Sequence, residues 1–203
     1  MTLYPQITSY LNSLSTEEIS DDRKKVLNPL RNFIIEKRNI GLPIYLNFIC
    51  THNSRRSHLS QIWAQTIAAY CQIENVYCYS GGTEATTIYH VVLQTLKNIG
   101  FQNEALSKEN NPVFAIKFGN NFAPVIAFSK KYDDPFNPES DFAAILTCSQ
   151  ADEGCPFIVG AEKRISVTYE DPKAFDNTSV QLNKYQERSE QIATEILYVF
   201  SNL

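Results

Sequence analysis

The segment Cys50-Thr51-His52-Asn53-Ser54-Arg55-Arg56-Ser57 sets a thiol, small hydrogen-bonding residues, an arginine and a serine in the pattern C-x5-R-S. It follows Ile44-Tyr45-Leu46-Asn47-Phe48-Ile49, an apolar-rich run like a strand buried on both faces. After it, residues 57–73 carry helical periodicity. In an open α/β sheet, the loop between strand and helix is where ligands bind. Its backbone N–H groups and the positive end of the helix favour an anion. The Arg56 guanidinium can grip two oxygens of a tetrahedral oxyanion in a fork. The same field favours the Cys50 thiolate over the thiol, and Ser57 can donate a hydrogen bond to it. A nucleophile and an oxyanion-binding loop, Thr51 to Ser57, are therefore expected together. The bland alternative is a structural cysteine beside two surface arginines.

Two further features could join this chemistry. Cys148 and Cys155 are seven positions apart in Ile145-Leu146-Thr147-Cys148-Ser149-Gln150-Ala151-Asp152-Glu153-Gly154-Cys155. An acidic, flexible segment of this kind can hold two sulfurs apart or bring them together, and a disulfide would need the loop to refold. It reads either as a redox relay or as two unrelated thiols. Asp171-Pro172 and Asp134-Pro135 are Asp-Pro pairs, common in turns. Cys71 and Cys78 are expected in the core, and His58 and His90 in structural roles on helices. With no C-x-x-C and three histidines, no metal site is expected.

The elements that must position these residues follow from the rest of the chain. Its 203 residues suggest one domain with an appendage. With 43% hydrophobic and 20% charged residues, it can bury a core of useful size. A net charge of −4 gives no general case for nucleic acid or a membrane surface, so an anion site must be local. No apolar run reaches the roughly 18 residues of a membrane span. The N-terminus lacks the charge-then-apolar pattern of a signal peptide, and an odd cysteine count argues against a disulfide framework. A cytoplasmic protein is expected. Ser15 and Glu18 form a capping box ahead of a helix over about 16–38, with a shorter helix before it. Strands are expected at 44–49, 75–80, 142–147 and 165–169. Helices are expected at 57–73, over 87–100, and from about 178 to 201. That alternation predicts a parallel sheet with crossover helices. Residues 112–129 read as a hairpin joined to the sheet edge, and 130–141 as a polar loop. The division expected is a helical extension, 1–40, and an α/β domain, 41–203, with an insert at about 112–141.

The Cys50–Ser57 loop resembles the phosphate-binding loop of low-molecular-weight protein tyrosine phosphatases and of the arsenate reductases that share their fold. Val76-Tyr77-Cys78-Tyr79-Ser80-Gly81-Gly82 matches the second strand and turn of that family. The resemblance covers roughly 42–101 and 142–200. It implies a three-layer α/β/α fold around a parallel four-stranded sheet. Two residues depart from the pattern. His52 stands where Gly is usual, so it is either strained in a left-handed conformation or turned to solvent. Arg55 stands where Cys is frequent. The Cys148–Cys155 segment resembles the redox segment of thioredoxin-coupled arsenate reductases, and Tyr169-Glu170-Asp171-Pro172 resembles the family's Asp-Pro loop. By that resemblance Cys50 attacks arsenate, Asp171 is the general acid, and Cys148 then Cys155 carry the oxidation to thioredoxin, with no bound cofactor. The alternative it implies is a phosphatase acting through a phosphocysteine. Gln61 replaces a Glu that supports a potassium ion in the reductases, so such a site is not expected here.

Overall fold

Ile44–Cys50 forms strand β1, and every residue in it but Tyr45 is buried. Burial on both faces follows from its place inside a four-stranded sheet of order β2-β1-β6-β7, with β2 at Val76–Gly82, β6 at Phe142–Leu146 and β7 at Ala161–Ser166. All three pairings are parallel, as the sequence predicts. This is a computed structural model describing residues 2–154 and 157–203.

Alternate residues of β1 serve two cores. Leu46 and Phe48 join the larger cluster, whereas Ile49 joins a smaller one with Leu146, Cys148, Ala151 and Ile158. The larger side carries α2 (Asp21–Asn39), α3 (Arg56–Tyr70) and α6 (Gln181–Ser201), with α1 (Pro5–Ser13) and α4 (His90–Ile99) packed into the same core. Trp63 of α3 ties them together: it stacks on Tyr10, meets Phe101 edge-on and donates to Ser189 Oγ at 2.9 Å. The smaller side holds one short helix, α5 (Ser149–Gly154). The flanking layers are therefore unequal.

Four expectations change. The last central strand runs Ala161–Ser166 rather than 165–169. The long N-terminal helix starts at Asp21, and Thr16–Glu18 is a separate 3-10 turn. Ser15 makes no side-chain cap. Ser20 accepts from Arg23 N instead, followed by Asp21 and Asp22 in the first turn, a better match to the helix dipole. The hairpin, β4 (Phe114–Lys117) and β5 (Val125–Ala127), does not extend the central sheet. It pairs with β3 (Gln102–Ala105) in a second, antiparallel sheet. Groups of β2 are already bonded elsewhere, since the Gln65 amide donates to Val76 O and accepts from Cys78 N, both at 3.0 Å. Residues 130–132 occupy the end near the loop, through Gly82 N–H to Lys130 O and Tyr132 N–H to Gly82 O. Finally, the Ser149–Gly154 stretch is helical rather than a flexible loop.

Candidate active site

β1 delivers Cys50 to the C-terminal edge of the sheet, and α3 begins at Arg56, so the C-x5-R-S segment is the β1–α3 loop. Its carbonyls are bonded to the surrounding scaffold. Cys50 O accepts from Thr83 N, Thr51 O from Glu84 N, and Ser54 O from Tyr89 N. His52 O accepts from the hydroxyls of Thr86 and Ser129, both at 3.0 Å. The backbone N–H groups of Thr51, His52, Asn53, Ser54 and Arg55 donate to no described residue. Satisfied carbonyls with unspent N–H groups are what an anion-binding loop requires.

The left-handed residue of this loop is Asn53, at φ 42°, and His52 is not among the residues with positive φ. Asparagine tolerates that region far better than most side chains. His52 takes the solvent-facing alternative: its side chain is 41% exposed, with Nε2 3.7 Å from Glu84 Oε2. Gly82 lets β2 approach, because a Cβ there would sit 2.7 Å from both Asn53 N and Thr51 O.

Asn53 also orders the nucleophile. Its Nδ2 donates to Ser57 Oγ at 2.9 Å, and its Oδ1 accepts from Lys130 N at 2.9 Å. Ser57 Oγ lies 3.1 Å from Cys50 Sγ. Having accepted from Asn53, the hydroxyl is free to direct its proton at the sulfur. Cys50, Asn53 and Ser57 are all buried.

Arg56 is buried, with Nη1 donating to Tyr169 O at 2.8 Å and Nη2 to Asp171 Oδ2 at 2.6 Å. Its Nε has no partner among the described residues, an orphaned donor that an oxyanion would satisfy. Asp171 Oδ1 accepts from Lys173 N and caps the 3-10 turn Pro172–Phe175. The structure thus brings Asp171 to Arg56, while Asp134 caps its own turn through Phe136 N and lies within electrostatic reach of Lys130.

Arg55 contributes backbone to the loop but not its side chain. Its guanidinium bonds Tyr185 and Asp176 instead. Cys148 lies just past β6, where Thr147 N–H and Oγ1 both donate to Ile49 O. The Cys148 sulfur is buried, 3.4 Å from Thr51 Oγ1 and from Ala151 N. Asp152 moors α5 to β7, accepting from Arg164 and from Ser166 Oγ at 2.7 Å. Cys155 lies outside the described residues.

Beneath the loop, Gln61 spends both ends of its amide, donating to Cys78 O at 3.0 Å and accepting from Ser80 Oγ at 2.7 Å. Ser80 Oγ, its own proton given to Gln61, then accepts from His58 Nδ1 at 3.2 Å. Burial, with Lys130 close by, lowers the His58 pKa to about 3. Among the described residues, no cluster of His, Cys, Asp and Glu could hold a metal ion. Sequence reasoning missed Lys130. Read as part of a polar loop, it is buried, with Nζ over the rings of Phe128 and Phe136, and burial lowers its pKa to about 8. No signal in the sequence marks it.

No family model matches the chain. It is 27% identical over 125 residues to an arsenate reductase of Staphylococcus epidermidis, covering 62% of this chain and 76% of the relative. A low-molecular-weight phosphotyrosine phosphatase from Vibrio cholerae superposes with TM-score 0.53 at 14% identity, over 78% of this chain and 95% of that one. An arsenate reductase in its oxidized state superposes with TM-score 0.51 at 15% identity, over 78% and 97%. The chain is thus similar in sequence to arsenate reductases and has the fold shared by low-molecular-weight phosphotyrosine phosphatases and arsenate reductases.

Proposed function

We propose that the chain reduces arsenate to arsenite through a thiol relay, with Cys50 as nucleophile and thioredoxin as the electron donor. The observation that carries this reading is the second thiol: Cys148 sits against the loop, 3.4 Å from Thr51 Oγ1. A phosphatase has no use for it. The Cys50 thiolate attacks arsenate held by the loop N–H groups and Arg56, and an arsenate oxygen leaves as water once Asp171 protonates it. The Cys148 thiolate then attacks the Cys50 sulfur. The S–S bond forms, the S–As bond breaks, and its electron pair stays on arsenic, which departs as arsenite. Cys155 attacks Cys148, frees Cys50 and leaves a Cys148–Cys155 disulfide for the dithiol donor to reduce. Residues 1–40 and about 112–141 are read as additions to the catalytic unit. Among the described residues no helix is long and apolar enough to cross a membrane, and a reducing compartment such as the cytoplasm suits the relay.

The second reading is a phosphatase working through a phosphocysteine. It is favoured by the Arg56–Asp171 contact, which sets the acid beside the loop whatever the oxyanion. Arsenate reduction with thioredoxin, thioredoxin reductase and NADPH, run beside aryl phosphate hydrolysis, separates the two. Cys148→Ser should stop reduction and spare most hydrolysis. If arsenate never oxidises Cys148 or Cys155 while aryl phosphates turn over well, the phosphatase reading stands.

A further inference from the structure

The turn that carries Asp171 is held at both ends by adjacent arginines, and the two attachments differ in kind. At its start, Asp171 Oδ2 bonds Arg56 Nη2 at 2.6 Å. At its end, Asp176 Oδ2 accepts from Arg55 Nη2 at 2.6 Å. Asp176 Oδ1 also accepts from Tyr185 Oη at 2.7 Å and from Gln181 Nε2 at 3.2 Å. Arg55 Nε donates to Tyr185 Oη at 2.5 Å, and the guanidinium lies 4.3 Å from the Tyr89 ring centroid. Burial first, and then the bond to Asp176, raise the Tyr185 pKa above its ordinary range, so the phenol keeps the proton it donates. The Arg55 and Asp176 side chains are 12% and 14% exposed, enough enclosure for this three-residue network of Arg55, Asp176 and Tyr185 to outweigh an ordinary surface pair.

The Arg56 attachment cannot survive catalysis unchanged. Arg56 is the cation of the oxyanion loop, and its Nε has no partner among the described residues. A bound oxyanion therefore competes with Asp171 for the same fork. Once displaced, the acid must still stay within proton-transfer reach. We propose that Arg55 is a positioning residue: by gripping Asp176 it keeps the Asp171 turn over the loop while Arg56 is transferred to the oxyanion. This rests on the oxyanion-site reading above.

The test is hydrogen exchange over residues 170–178, with and without inorganic phosphate, in the wild-type protein and in Arg55→Met, together with iodoacetamide labelling of Cys50. In the wild-type protein, phosphate should leave exchange of the turn nearly unchanged. In Arg55→Met, phosphate should accelerate it by at least roughly tenfold, the scale of one lost charge-assisted bond. Arg55→Lys should recover part of the protection. For aryl phosphates, Arg55→Met should lower kcat more for poor leaving groups than for good ones, with the inhibition constant of phosphate within about threefold of wild type. If Arg55→Met does not fold, Asp176→Asn carries the same measurements. Phosphate that protects Cys50 but leaves exchange equal in wild type and variant overturns the clamp alone. A loss of phosphate inhibition matching that of Arg56→Met makes Arg55 a direct ligand, and also overturns it. Phosphate that fails to protect Cys50 in the wild-type protein overturns the site reading and the clamp with it.

Discussion

Cys50 and Cys148 leave neighbouring strands at the same edge of the sheet, yet they stand on different footings. Cys50 is framed from within its own loop by Ser57, itself held by Asn53, whose Oδ1 accepts in turn from the distant Lys130 backbone N–H. The carbonyls around it are bonded to the 83–89 segment and Ser129. Cys148 leads into a six-residue helix whose mooring to β7 is Asp152 against Arg164 and Ser166. A nucleophile that must meet a tetrahedral anion benefits from being fixed in advance. A relay thiol that must travel from one sulfur to another needs a support that can let go.

Breaking the fixed side should cost most. Cys50→Ser should lower both activities by up to about 10⁶-fold, the scale of removing a nucleophile from a concerted site, with the fold retained by circular dichroism. Asp171→Asn should slow hydrolysis of esters with poor leaving groups by roughly 10²–10⁴-fold, and good leaving groups should suffer less. Equal losses in both classes would mean that Asp171 only supports its turn.

The buried support of the loop gives it a pH signature. The His58 pKa falls to about 3 in the folded protein, whereas an unfolded histidine titrates near about 6.5. Between these values the unfolded chain binds the extra proton, so this contribution is complete above about 6.5 and is lost as pH falls, by at most about 1.4 kcal/mol per pH unit. Denaturant melts of His58→Asn across that window should show a shallower loss than wild type. Asn53→Ala should strand the Lys130 N–H and remove the donor to Ser57, costing about 1–3 kcal/mol. An unchanged denaturation midpoint would show that solvent replaces Asn53 easily.

The movable side should yield the smallest effect. The Arg164 and Asp152 side chains are 30% and 28% exposed, so Asp152→Asn should cost at most about 1 kcal/mol. It should leave aryl phosphate hydrolysis unchanged and speed formation of the Cys50–Cys148 disulfide after arsenate. A slower disulfide step would mean that α5 presents Cys148 rather than restraining it.

How much of this the sequence shows depends on range. The order of strands and helices, the parallel sheet and the place of the C-x5-R-S loop rest on local periodicity and on one connection rule, so they are legible. Gly100, expected to end its helix, does so at φ 116°. What escapes is set by partners remote in the chain. The C-x5-R-S pattern points to Arg56 rather than Arg55, but the groups that hold each guanidinium, Asp176 and Tyr185 for Arg55 and Tyr169 and Asp171 for Arg56, do not show in the sequence. Ser15 matches a capping pattern, but Ser20 with its two following aspartates competes better. The hairpin is visible as a hairpin. Its separate sheet is not, because that turns on the Gln65 amide bonding Val76 and Cys78.

Lys130 has one more consequence. An amine whose pKa lies at about 8 reaches an even balance of neutral and charged forms near that pH, well below an ordinary lysine, and so is more readily acylated or carbamylated when exposed. Yet it is 2% exposed, in the segment 130–132 that pairs with the end of β2, with its amine over the rings of Phe128 and Phe136. Reagents will tag the surface lysines of a molecule that has never opened and leave this one bare. A modified Lys130 is then a lasting mark on any copy in which this buried segment has opened.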